Sequence, residues 1–250
     1  MGVVNVTPDS FSGDGVLDPD LVSRRIESVM EQGADIVDVG GESTRPGHIP
    51  VSAEEELRRV LPAIEEARGA GAIVSVDTRK ASVAREAVQA GAGIVNDVSG
   101  LSDASMLQAV AQTGAALVLV HCRPVEVSRT EDLAGQVVAD LRQLVERSTS
   151  LEIPRERLLI DPGFGFAKTW IDNLFLLRDL GRLSALKLPI LVGLSRKATI
   201  SKVLGVSRDD RLEGSLAAAS VAVANGADII RAHDVRATKR AVTMLDGLVR

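Results

Sequence analysis

The chain of 250 residues has no tyrosine, one tryptophan and four phenylalanines, so aromatics make up only 2% of it. A surface that stacks nucleic-acid bases needs aromatic faces, and one that neutralises their phosphates needs a basic stripe. With 34 acidic against 29 basic residues and a net charge of −5, the chain offers neither, and no nucleic-acid partner is expected. Its single cysteine, Cys122, leaves no internal disulfide to form and suits a reducing compartment. No apolar run approaches the roughly 18 residues that span a bilayer. No basic segment followed by an apolar one marks a signal peptide. A cytoplasmic protein with no membrane partner is therefore expected. Histidine is scarce too: His48, His121 and His233 lie far apart, without the short spacing of a zinc site.

What is present points to a barrel. The length suits one α/β barrel, and 45% hydrophobic residues can fill a large core. A junction of glycine, alanine and a β-branched run recurs at Gly33-Ala34-Asp35-Ile36-Val37, Gly71-Ala72-Ile73-Val74, Gly91-Ala92-Gly93-Ile94-Val95, Gly114-Ala115-Ala116-Leu117-Val118 and Gly226-Ala227-Asp228-Ile229-Ile230. Each glycine follows a stretch of helical period, where a left-handed residue stops a helix. Each run after it reads as a strand buried on both faces. Asp18-Pro19 and a capping box at Ser52 and Glu55 mark helix starts. Apolar faces follow at Val22, Ile26, Val29 and Met30, at Leu57, Val60, Leu61 and Ile64, and at Val83, Ala84, Ala87 and Val88. Residues 2–6, 158–161 and 189–194 add three strands without the glycine-alanine lead-in. Eight strands, each followed by a helical segment, imply a single-domain (β/α)₈ TIM barrel over residues 1–250, with an open doubly wound sheet as the alternative.

Barrel sites form at the C-terminal ends of the strands. Here the apolar runs end in Asn5, Asp38, Asp77, Asn96-Asp97, His121, Asp161, Ser195-Arg196-Lys197 and Arg231-Ala232-His233-Asp234. These are expected to converge on one mouth, with carboxylates from Asp77, Asp97 and Asp161 on one side. Arg196, Lys197, Arg231 and His233 form a cationic corner on strands seven and eight, where barrels often hold phosphate. Other patterns fail. Gly163-Phe164-Gly165-Phe166-Ala167-Lys168-Thr169 lacks the glycines of a phosphate loop or a dinucleotide fingerprint. Ser43 and Ser195 lack a nucleophile elbow. Cys122 should point away from His121 and reads as a small buried hydrophobe.

Seven motifs in order resemble the dihydropteroate synthases, across essentially the whole chain. They are Asn5-Val6-Thr7-Pro8-Asp9-Ser10-Phe11-Ser12, Asp38-Val39-Gly40-Gly41-Glu42-Ser43-Thr44-Arg45-Pro46-Gly47, Ser75-Val76-Asp77-Thr78, Asn96-Asp97-Val98-Ser99-Gly100, Asp161-Pro162-Gly163-Phe164-Gly165, Ser195-Arg196-Lys197 and Arg231-Ala232-His233-Asp234. The resemblance implies a transferase of folate biosynthesis that joins p-aminobenzoate to a dihydropterin diphosphate. It implies a pterin site at Asp77, Asn96, Asp161 and Lys197, and a diphosphate site at Asn5, Arg231 and His233, with Asn5 also serving Mg²⁺. Asp77, Lys197, Arg231 and Asp161 would carry the chemistry. Thr44, Arg45, Pro46, Phe166 and Thr199 would form the aminobenzoate side, where loops over residues 7–15 and 43–47 close.

The departures, all but the one at Val120, fall on that aminobenzoate side and its loops. Ala198-Thr199 stands where the family commonly has a Phe, Val120 where a Met is usual, Cys122-Arg123-Pro124-Val125-Glu126 where a Gly-x-Pro type segment is usual, and Gly13-Asp14-Gly15 alters the first loop. Altered affinity for aminobenzoate and sulfonamides is expected at Thr199. A homodimer is expected from the family, with weak support from the Ala-rich residues 216–224. The sequence begins at the first strand, without the leader of many relatives, so a less plugged barrel floor is expected. A pterin-binding paralogue without condensing activity and a pterin-dependent methyltransferase domain are the alternative readings.

Overall fold

The computed structural model describes residues 1–7, 17–43, 49–123 and 132–249. Thr44, Arg45, Pro46 and most of the two expected closing loops lie outside them. Gly33, Gly71, Gly91, Gly114 and Gly226 all adopt positive φ, between 80° and 121°. Glycine takes that conformation without a Cβ clash, so each turns the chain out of a helix and into a strand. At the other ends, α1 (Pro19–Glu31) starts where the Asp18 carboxylate accepts from the amides of Asp20 and Leu21. Helix α2 (Ala53–Gly69) starts where the Ser52 hydroxyl accepts from Glu55 N. The Ser52 half of that box forms, while the Glu55 carboxylate is turned to Arg58 and Arg59.

Eight parallel strands follow the expected order: β1 (Gly2–Asn5), β2 (Ile36–Gly40), β3 (Ile73–Asp77), β4 (Ile94–Asp97), β5 (Ala116–Val120), β6 (Leu158–Asp161), β7 (Leu191–Val192) and β8 (Ile229–Ile230). Strands β1 to β6 form one sheet and β7 pairs with β8. Single bridges at Ile160–Ile190 and Gly2–Ala232 join these two sheets at both edges, so the ring closes. The open-sheet alternative is thereby excluded. Strands β7 and β8 are shorter than the apolar runs because side chains take over ladder positions, the Asp228 carboxylate accepting from Ile190 N at 2.9 Å. The remaining helices are α3 (Ala81–Ala90), α4 (Met106–Thr113), α5 (Leu133–Ser150), α6 (Trp170–Arg178), α7 (Ala198–Leu204), α8 (Leu212–Ala224) and α9 (Val235–Val249). Two of them, α7 and α8, follow β7, where the sequence implied a single helical segment.

Register decides which residues face the barrel interior. Asp38 pairs with Ser75 and Ser75 with Ile94, while Gly40 pairs with Asp77 and Asp77 with Asn96. Asn96 pairs with Val118, and Val120 with Asp161. Side chains alternate with period two, so these residues share the inner face. Ile94, Val118, Val120 and Leu191 pack there with Ile36, Ala116, Leu159, Phe166 and Ile229. The opposite parity, Val37, Val39, Val74, Val76, Val95, Leu117, Leu119, Leu158 and Ile160, packs against the helices in the larger core. The interior is thus apolar below and polar at the C-terminal end. A cavity of about 350 Å³ lies at the other end, between Met1, Ile36, Ile229 and Val235.

Candidate active site

Arg231, at the end of β8, organises the mouth. Its Nε donates to Asp38 at 2.6 Å and its Nη2 to Asp77 at 2.7 Å. The expected separation of carboxylates from cations therefore does not hold, because one guanidinium stands between two carboxylates. Asn96 Nδ2 reaches the same oxygen of Asp38 at 3.5 Å. On the far side the Asp161 carboxylate accepts from Gly163 N at 2.7 Å. Lys197 donates to the Phe164 carbonyl, and its ammonium lies 4.9 Å from the centre of the Phe166 ring. It threads past two glycines: a Cβ at Gly165 would stand 3.2 Å from its Cδ, and one at Gly193 would stand 3.9 Å from its Nζ.

Burial shapes the charges. It raises the Asp77 carboxyl to about 7, against the pull of Arg231 and with a further push from Asp38. Asp161 is also raised by burial, although Lys197 opposes the shift. Burial lowers Lys197 to about 8, with Asp161 opposing. For Arg231 burial acts downward, but the fields of Asp38 and Asp77 more than offset it and hold the guanidinium above its usual value. Asp77 therefore holds its proton to higher pH than an exposed carboxyl does, even with the Arg231 guanidinium beside it. Asp38 Oδ1, Asn96 Oδ1 and Ser75 Oγ are buried without a hydrogen-bond partner among the described residues. Each such group costs about 1–3 kcal/mol, so a ligand that supplies donors at this depth recovers that cost.

The sequence-derived residues divide by parity. Asn5 faces inward beside Gly40 and Asp77. His233 is buried, its amide and Nδ1 lying 3.1 and 3.2 Å from Ser195 Oγ. Asp97, expected among the mouth carboxylates, has the outward parity of Val95. Its oxygens accept from the amide and hydroxyl of Ser99 and from Leu101 N, so it fastens the turn after β4. His121 is also outward: Nε2 lies 2.9 Å from Asp140, and Nδ1 lies 2.9 Å from Lys168 Nζ. Arg196 leaves the expected cationic corner for a two-pronged pair with Asp234. Cys122 is part-exposed rather than buried. Thr199 is buried, and its hydroxyl accepts from Asn173 at 3.0 Å.

Three contributors went unassigned in the sequence. Asp38 was noted as a strand end and as the start of a family motif but given no role, although its spacing of two from Ile36 and Gly40 marks the inner face. Lys168 belonged to a rejected phosphate loop, yet it donates to the carbonyls of Gly163, Phe166 and His121 and so holds that loop. Glu42 binds Arg79 and Lys80, and Lys80 also binds the buried Glu56, anchoring the segment after β2. Burial acts upward on the Glu42 carboxyl, but Lys80 and Arg79 hold it below its usual value. No local sequence period announced that cluster.

The family model for pterin binding enzymes matches residues 1–233. Dihydropteroate synthase of Escherichia coli is 42% identical over 255 residues, covering 99% of this chain and 90% of the relative. The chain belongs to the dihydropteroate synthases of the pterin-binding family. Among solved structures, the dihydropteroate synthase of Coxiella burnetii in complex with pteroic acid superposes with a TM-score of 0.93 and is 37% identical, covering 99% of this chain and 92% of that one. That of Xanthomonas albilineans with 4-aminobenzoic acid gives a TM-score of 0.91 and is 42% identical, with the same coverage. As a member of this transferase family the chain is an enzyme, and its parallel-stranded core with surrounding helices is the family's fold.

Proposed function

We infer that this mouth carries out the family's condensation, joining p-aminobenzoate to 6-hydroxymethyl-7,8-dihydropterin diphosphate to give 7,8-dihydropteroate and diphosphate. The unpartnered buried oxygens of Asp38 and Asn96 carry the reading. They are buried acceptors that want donors, a setting suited to the donor-rich, guanidine-like edge of a pterin. Asp77, Asn96, Asp161 and Lys197 would line the pterin. Arg231 uses Nε and Nη2 on carboxylates, while Nη1 has no partner among the described residues and would join His233 and Asn5 around the diphosphate.

The carbon–oxygen bond at the pterin methylene breaks with its electron pair on the diphosphate. The amine nitrogen forms the new carbon–nitrogen bond and sheds one proton. A dissociative order follows from the conjugated ring, which can stabilise a methylene cation, with Asp38, Asp77 and Asp161 supplying fixed negative charge around it. Mg²⁺ suits the diphosphate corner as an ion that keeps its waters. Among the described residues no group of three or more His, Cys, Asp or Glu could hold a metal. Asn5 offers a single amide oxygen, and Mg²⁺ commonly binds through one or two protein oxygens plus substrate phosphates. Held there, it would neutralise charge on the leaving diphosphate.

Phe166, beside Lys197, would bound the aminobenzoate, together with Thr44, Arg45 and Pro46 outside the described residues. Because the Thr199 hydroxyl is bonded to Asn173, Thr199→Phe would disturb that bond as well as the pocket wall, and sulfonamide inhibition of this variant should differ from wild type. Exposed apolar residues on α8 and α9, including Leu212, Val221, Met244 and Leu248, support a homodimer. No helix among the described residues is long and apolar enough to cross a membrane, and the lone cysteine supports a cytoplasmic setting.

Alanine at Asp77 or at Arg231 should lower kcat/KM by about a hundredfold or more, as loss of a preorganised charge in a buried site does. Steady-state assay of diphosphate release checks this. Turnover near wild type in either variant would sink the assignment.

A further inference from the structure

Two polar links tie the loop between β6 and α6 to the start of α7, and only one uses a residue already placed in the site. On the mouth side, Lys197 donates to the Phe164 carbonyl. On the core side, Asn173 of α6 accepts from Gly165 N at 3.1 Å and donates to the Thr199 hydroxyl at 3.0 Å. Asn173 and Thr199 are both buried. Lys197 is the N-cap of α7 and Thr199 its second residue, so the core link ends two residues from the lysine's own backbone.

Gly165 sits between the links. Its φ of +78° strains any side chain, and a Cβ there would push on the Lys197 Cδ. The lysine stem therefore rests on a peptide that Asn173 holds from behind. A lysine has a flexible four-carbon stem with large rotamer freedom, so its head is placed by whatever the stem lies against. Here the stem lies against Gly165, and the ammonium lies near Gly193 and the Phe166 ring. Asn173 fixes the height of the first of these and, through Thr199, the base from which the stem rises.

We propose that Asn173 is a positioning residue for the condensation, bracing the Gly165 peptide against Thr199 so that Lys197 is held at the level of Asp161. This rests on the condensation reading and on Lys197 as part of the pterin site. A side chain that merely satisfies its own buried amide would affect stability alone. A brace also affects turnover, because a displacement of about 1 Å at a reacting site can cost about a hundredfold.

The test compares Asn173→Ala, Thr199→Val and Thr199→Ser with wild type by kcat, by KM for each substrate, and by the alkaline limb of the pH–rate profile. Asn173→Ala and Thr199→Val should lower kcat by about ten- to a hundredfold and shift the alkaline limb set by Lys197. Thr199→Ser, which restores the hydroxyl, should recover most of the loss. Folded Asn173→Ala and Thr199→Val proteins with wild-type kcat and an unmoved alkaline limb would overturn the proposal. Should Asn173→Ala fail to fold, Thr199→Val decides by its kcat and alkaline limb, because a changed aminobenzoate wall at Thr199 would show in the KM for aminobenzoate instead. A wild-type enzyme that releases no diphosphate would refute the condensation reading instead, which keeps the two failures distinct.

Discussion

Ala167 carries a left-handed backbone, φ +50°, in a loop where Gly163 and Gly165 already have φ +73° and +78°. A Cβ in that region costs about 1–2 kcal/mol, partly offset by the greater freedom of glycine in the unfolded chain. Ala167→Gly should therefore stabilise the protein by about 0.5–1 kcal/mol, read as a raised urea midpoint. A lowered midpoint would show that the loop conformation differs. His121 gives a pH-dependent case. Burial, then the charges of Lys168 and Arg123, lower its pKa to about 3. The geometry agrees: Nδ1 faces the Lys168 ammonium, so a second ring proton would point at a cation. Its folded value lies below the unfolded 6.5, so its contribution to stability is complete above pH 6.5 and is lost as pH falls towards 3. The imidazole should remain neutral by NMR at pH 5, and His121→Asn should flatten the acid limb of the stability curve. Imidazole titration near 6.5 would refute this.

Among the elements, α6 does the most to hold the site, because it supplies Asn173 and begins at a two-way capping box between Thr169 and Asp172. Thr169→Ala should cost about 1 kcal/mol, measured by denaturant unfolding, and no loss would mean that the cap is idle. The same scale shows what the sequence made legible. Glycine stops and β-branched runs announced each strand, because helix termination and two-sided burial leave local marks. The motifs also brought Asn5, Asp77, Asn96, Asp161, Lys197, Arg231 and His233 to one end of the ring. The partner of each side chain was less legible. Asp97 and His121 follow inward residues directly and so point outward, which alternation from Val95 and Val120 could have revealed. The pairing of Arg231 with Asp38 and Asp77 joins the last strand to the second and third, and no local pattern encodes that contact. The short ladders of β7 and β8 and the extra helix after β7 likewise depend on tertiary substitutes such as Asp228.

For the molecule as a whole, ring closure converts eight scattered strand ends into one mouth. It sets carboxylates from β2, β3 and β6 around a guanidinium from β8, with apolar layers beneath that keep water away and so magnify each charge. The sequence identity to dihydropteroate synthases spans nearly the full chain, and the buried unpartnered acceptors suit the substrate that the family uses. Diphosphate release by the wild-type enzyme, followed with the dihydropterin diphosphate present and p-aminobenzoate added or omitted, probes that chemistry directly. Release that depends on aminobenzoate and matches dihydropteroate formed one for one is expected; pterin binding without aminobenzoate-dependent release would contradict it and indicate a binding protein on the same barrel.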